Sequence, residues 1–178
     1  MKRTLWPILL FYLITAIGSS QMDYLLIFGN GWMFNVKEPT GWTGHTEDAY
    51  RYRVNAYFCL GKKTFIKSPV VMHIRINSKR GDTLQQIINS DIADYRKQHK
   101  KLELQEFPIN ELGYEVLSKK YSYDDKTIDY VCLLDPNKDS PLYLVFVLNG
   151  PKEESPKYEK DFLSLIRSFS WLGGKVKK

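Results

Sequence analysis

The chain has 178 residues, 43% hydrophobic and 26% charged, with a formal net charge of +6. That length and mixture suit one globular domain with a core of its own, and they exclude a disordered or low-complexity polypeptide. The basic excess is mild and spread along the chain, so there is no electrostatic footprint for nucleic acid.

The first element is a targeting segment. Lys2 and Arg3 precede an apolar run of 13 residues, Leu5 to Ile17, and the small residues Gly18, Ser19 and Ser20 follow. A spanning helix needs about 20 apolar residues, and this run stops short of that. The pattern predicts a signal peptide over residues 1–20, with an uncleaved anchor as the alternative. No cysteine lies near the cleavage region, which excludes a lipid-anchored lipoprotein. Without its two positive charges the chain keeps 24 basic and 20 acidic residues. The expected location is extracytoplasmic, periplasmic or secreted, with no stable membrane span once the signal is removed.

Residues 21–31 read as a lead-in. The stretch "FNVKEPTGW", residues 34–42, then gives a short strand stopped by Pro39, a turn permitted by Gly41, and Trp42. Trp42 reads as a structural anchor that folds back over an edge of the core. Residues 51–60 alternate, with Tyr52, Val54, Ala56, Phe58 and Leu60 on one side and Arg51, Arg53, Asn55, Tyr57 and Cys59 on the other, which predicts a strand. Residues 69–77 repeat the pattern, with Val70, Met72, Ile74 and Ile76 against Val71, His73, Arg75 and Asn77.

A helix follows. Asp82 and Gln85 form a capping-box pattern, and Leu84, Ile87, Ile88, Ile92 and Tyr95 recur at helical spacing. "LELQEFPIN", "GYEVLSKKYSY" and "TIDYVCLLD" read as strands, the last two joined by the turn "DDK", and residues 135–141 read as a loop. "LYLVFVLN" is apolar on both sides, which marks a central strand. Ser155 and Pro156 open a closing helix whose stripe is Tyr158, Phe162, Leu165, Ile166 and Phe169. Residues 32–170 form one α+β domain with a mostly antiparallel sheet and two main helices, and residues 171–178 form a basic tail. Cys59 and Cys132 both lie in apolar strand patterns, and spacing leaves a disulfide between them open.

The order of these anchors, from "FNVKEPTGW" through "KSPVVMHIRI", "TLQQIINSDIADYRK" and "YEVLSKKYSY" to "YEKDFLSLIRSF", resembles the PsbP-like superfamily. The likeness covers residues 32–169 and is strongest for small exported bacterial members. It implies an α/β/α sandwich used for binding, without a shared chemistry.

No residue is assigned a catalytic role, because there is neither a Gly-x-Ser-x-Gly nor a cysteine–histidine motif. No metal site or cofactor is assigned either. His45 lies near Glu47 and Asp48, but without a recognised ligand spacing. His99 ends a lysine-rich helix and reads as surface, and Asp91 and Asp94 read as solvated helix carboxylates. The best binding candidates are Arg53, Tyr57, His73 and Arg75, which pairing of their two strands would gather on one sheet face. The expected function is a non-enzymatic binding or assembly protein of the bacterial envelope, whose partner is another envelope protein or an anionic small ligand. The alternatives are a small hydrolase or lyase built around His73, and an inhibitor or immunity-type partner of an exported protein. Export processing should leave a chain beginning at or near Ser19 or Gln21. Intact-mass measurement checks this, and a full-length mass in the membrane fraction would contradict it.

Overall fold

A computed structural model describes residues 24–110 and 112–173. The predicted signal segment and the tail beyond Gly173 lie outside the described residues. The elements in chain order are β1 (Tyr24–Gly29), β2 (Trp32–Lys37), β3 (Trp42–His45), β4 (Ala56–Leu60), β5 (Val71–Ser78) and α1 (Leu84–Gln98). They continue with β6 (Leu102–Glu106), β7 (Glu115–Tyr123), β8 (Thr127–Asp135), β9 (Leu142–Pro151), α2 (Glu159–Arg167) and β10 (Ser170–Gly173). No helix among the described residues is long and apolar enough to cross a membrane.

Seven strands form one antiparallel sheet in the order β3-β4-β5-β9-β8-β7-β6. β9 is central and apolar on both sides. Leu144, Phe146 and Leu148 join one core with Met72, Ile74, Tyr130 and Cys132, and α2 covers this core with Phe162, Leu165 and Ile166. Val145 and Val147 join a second core on the opposite face, where α1 brings Leu84 and Ile88. The result is the expected sandwich, with a helix on either face of an antiparallel sheet.

The second layer over the α2 face is a three-stranded antiparallel sheet in the order β1-β2-β10. The ordered fold therefore reaches beyond residues 32–170 at both ends. β1 lies within the supposed lead-in, and β10 includes the first residues of the supposed tail. Ile27, Phe34 and Val36 tie this sheet to the main core. Asn30-Gly31, with Gly31 at φ +78, turns β1 into β2.

Three local readings change. Strand β4 begins only at Ala56, because Ala49–Tyr52 forms a 3₁₀ turn and Arg53 takes a left-handed backbone at φ +57. Ala49 and Val54 are buried beneath this turn, so their apolar spacing serves a loop. Asn55 then bridges to β5, its carbonyl side chain accepting from the Ile76 amide at 2.8 Å. Helix α1 is capped one residue later than expected. Thr83 accepts from the Gln86 amide, and the Gln86 side chain accepts from the Thr83 amide at 2.8 Å. Asp82 belongs to the preceding turn, where its amide donates to the Lys79 carbonyl. Ser155 and Pro156 form a 3₁₀ turn, and the regular helix starts at Glu159.

Pro39 and Gly41 frame a tight turn in which the Trp42 amide donates to the Pro39 carbonyl at 3.0 Å and Gly41 sits at φ +84. The Trp42 indole is buried, lies edge-on to Tyr158 at 5.4 Å, and donates from Nε1 to Asp161 Oδ2 at 3.1 Å. One side chain thus joins the edge strand to α2. Cys59 and Cys132 are both free and buried. They belong to cores on opposite faces, with β5 and β9 between their strands, so no bond can form without unfolding.

Phe162→Ala should cost about 3–5 kcal/mol, because the residue is fully buried between α2 and the sheet. Trp42→Ala should also destabilise, whereas Trp42→Phe should lose mainly the indole hydrogen bond. Denaturant unfolding of the three variants checks the ranking, and an unchanged midpoint for Phe162→Ala would contradict it.

Candidate functional site

Helix α1 covers only part of its face. Its apolar stripe packs on side chains from β7, β8 and β9. The same face of β4 and β5 is covered instead by shorter pieces, namely Tyr52 of the 3₁₀ turn and Phe65, whose rings stack at 4.3 Å. A cleft of about 340 Å³ lies in the seam between the two coverings. Arg53, His73 and Arg75 line it on one side, and Tyr95, Asp129 and Asn149 on the other. A second hollow of about 450 Å³ adjoins along α1, reaching Asp91 and Tyr143, and Arg75 lines both.

Alternation along β5 places His73, Arg75 and Asn77 on this face while Met72, Ile74 and Ile76 enter the opposite core. His73 Nδ1 and Arg75 Nε are buried without a hydrogen-bond partner. Neither Arg53 nor Arg75 forms an ion pair with a carboxylate among the described residues. Burial, helped by the nearby Arg75 charge, pushes the His73 imidazole down to about 3, so it is neutral near pH 7.

The opposite wall is acidic but tied down. Asp129 is buried near the start of β8 and is held by Tyr95 Oη at 2.5 Å, by Asn149 Nδ2, and by Tyr123 Oη at 3.3 Å. Burial raises its carboxyl above the ordinary range, and these donors oppose the rise. Burial also raises Asp91, against the field of Arg75.

The structure brings Arg53, His73 and Arg75 together, and Arg53 arrives from the left-handed turn rather than from a strand. Tyr57 stands apart. It faces His73 across the β4–β5 pair, yet its ring is buried and its hydroxyl donates to Asp48 Oδ1 at 2.8 Å. It borders a different hollow, beside His45, whose ring stacks on it at 4.7 Å. Asp91 is half-buried and borders the hollow along α1, while Asp94 pairs with Lys97 at 2.9 Å. His99 is not simply surface, since its Nδ1 meets Asp124 Oδ2 at 2.9 Å and its ring lies 4.1 Å from that of Tyr123. No group of three metal-ligating side chains occurs among the described residues.

The sequence reading gave no site role to Asp129 or Asn149, and it placed Tyr95 only in the apolar stripe of α1. Asp129 carried a usable signal, being a lone carboxylate inside the apolar run "TIDYVCLL". A charge at such a position needs partners, and the tyrosines supply them.

The neutral state of His73 links stability to pH. The unfolded imidazole titrates near 6.5 and the native one near 3, so between these values the unfolded chain binds a proton that the native chain does not. Stability from this group is full above the window and falls as pH falls through it, by up to about 1.4 kcal/mol per unit. Asp91 and Asp129 act with the opposite sign, because their raised native values favour folding at low pH. His73→Gln should therefore lose less stability than the parent on acidification below pH 6.5. Urea midpoints across that range test this, and parallel profiles would show that His73 is not held neutral.

No family model matches the chain, and a search of curated proteins gives no match. Among solved structures, cyanobacterial PsbP from Synechocystis sp. PCC 6803 is similar at 15% identity, covering 86% of this chain and 95% of that one, with a TM-score of 0.48. A mutant of the protein Mog1 is similar at 12% identity, covering 85% of this chain and 97% of that one, with a TM-score of 0.51. At these identities the likeness carries architecture and no activity. The likeness to the Mog1 mutant shows a shared fold and nothing further.

Proposed function

We propose that the protein is an exported, non-enzymatic binding or accessory protein of the cell envelope, and that the seam beside α1 receives an acidic group of its partner. The observation that carries this reading is the pair Arg53 and Arg75, two guanidinium groups on one cleft with no ion-pair partner among the described residues. Arg75 is half-buried and Arg53 is exposed; a half-buried cation is costly without a partner, and arginine offers carboxylates a two-pronged contact. The left-handed backbone that delivers Arg53 costs a non-glycine residue on the order of 1 kcal/mol. The stacked rings of Tyr52 and Phe65 add an apolar wall beside the charge. The leader-like composition of residues 1–20 supports export.

His73 argues against the hydrolase reading. A general base works best with a pKa near the working pH, and this imidazole is pushed far below it. Its role in the cleft is that of a neutral hydrogen-bonding group.

Arg53→Ala combined with Arg75→Ala should lose the partner captured from the native envelope by the tagged parent, with little change in melting temperature. Capture by the parent should also weaken with added salt. Retention of every partner by the folded double variant would remove the cleft as the site.

A further inference from the structure

The cleft is one end of a longer groove. It continues into the hollow along α1, and Arg75 lines both parts. One wall is β5 with the turn that follows it, from His73 to Arg80, and the other is α1 from Tyr95 back to Ile87. From His73 to Ser78 a strand advances about 16 Å, and from Tyr95 to Ile87 a helix advances about 12 Å. An extended chain of about five residues has that length.

Arginines recur along the groove. Arg53 lines only the cleft, Arg80 lines only the hollow along α1, and Arg75 lies between them. None of the three has an ion-pair partner among the described residues. Arg80, like Arg53, is held in a left-handed backbone, at φ +52 in the turn that the Asp82 amide closes on the Lys79 carbonyl at 2.8 Å. Such a position suits glycine or asparagine better than arginine. The other non-glycine residues with positive φ among the described ones, Asp124 and Asp125, form the β7–β8 turn and line neither part of the groove.

Carboxylates stand between the arginines. Asp129 is held by its tyrosine and asparagine donors and Asp94 by Lys97, whereas Asp82 and Asp91 line the hollow with no ion pair among the described residues. A polymer charged at every unit would be repelled by them. A peptide alternates, offering side-chain carboxylates to the guanidinium groups and backbone N–H groups to the carboxylates in between.

We infer that the groove binds an extended acidic segment of a partner protein, about five residues long, whose alternate carboxylates meet Arg53, Arg75 and Arg80. This inference rests on the reading of the cleft as a partner site and lengthens it. The cleft alone needs Arg53 and Arg75, and only the longer groove needs Arg80.

The test titrates capped peptides into the full-length chain by calorimetry at low salt. The probes are Glu-Ala-Glu-Ala-Glu, its glutamine counterpart, and Ala-Ala-Glu-Ala-Ala, with inorganic tripolyphosphate as the competing polyanion. The three-acid peptide should bind at least tenfold tighter than the glutamine one, and added salt should weaken it. Arg53→Asn, Arg75→Gln and Arg80→Asn should each weaken it several-fold, while Arg80→Asn leaves the one-acid peptide unaffected. Arg53 and Arg80 are exposed, and asparagine tolerates their backbone, so these two variants decide the matter even if Arg75→Gln fails to fold. An unchanged affinity of the three-acid peptide for Arg80→Asn would overturn the inference, and so would tighter binding of tripolyphosphate than of the peptide. If no peptide binds but the double variant at Arg53 and Arg75 still loses the captured envelope partner, the extended segment is refuted and the cleft reading stands. Loss of neither refutes both.

Discussion

A strand that is apolar on both faces must be covered on both faces, and β9 imposes that demand on everything else. Its two rows of side chains seed two separate cores, one roofed by α2 and the small sheet, the other by α1. The coverings are unequal. Seven strands at about 4.8 Å spacing make a sheet roughly 30 Å wide, whereas one helix is about 10 Å across. On the α2 face, the three-stranded sheet makes up the shortfall. On the α1 face, among the described residues, a 3₁₀ turn bearing Tyr52 closes the remainder together with Phe65. The cleft is the joint that this shortfall leaves.

Polar residues collect along that joint because only there does water reach an otherwise covered sheet face. The two walls solve the problem of charge differently. Asp129 is saturated by a ring of tyrosine and asparagine donors, so its wall is internally satisfied. Arg75, two positions along β5 from a neutral imidazole, has a buried Nε with no such partner among the described residues. The asymmetry is what separates a structural network from a surface that can still gain from a contact. It also gives the cleft a direction, with acceptors held at the back and donors left open at the side.

Much of this architecture was legible because it rests on period. The alternation along β5, the double-faced apolar run of β9 and the stripes of α1 and α2 each follow from spacing alone, and each element appears within a few residues of where its period placed it. The failures share a cause as well. Tyr52, Val54 and Ala56 alternate like a strand, but burial of Ala49 and Val54 beneath a turn produces the same spacing. The hairpin at Asn30-Gly31 was readable from its turn residues, yet β1 sits beside a leader-like segment whose composition hides it. The site was half legible. His73 and Arg75 follow from the pleat, whereas Tyr95 and Asp129 meet across 34 positions of sequence and can be joined only by the packing of α1 on β8.

The two cysteines give the fold an unusual indifference to redox conditions. Each thiol is enclosed in its own core, with the central strands between them, and burial pushes both thiols up, away from the reactive thiolate. Oxidant in the surroundings reaches neither thiol while the chain is folded, and reductant finds no bridge between them to break. Thiol chemistry becomes available only when the sheet opens and the cores empty. A mixed disulfide or an internal Cys59–Cys132 bond in a sample is therefore a record that the molecule has unfolded, and such a bond would block return to the two-core arrangement.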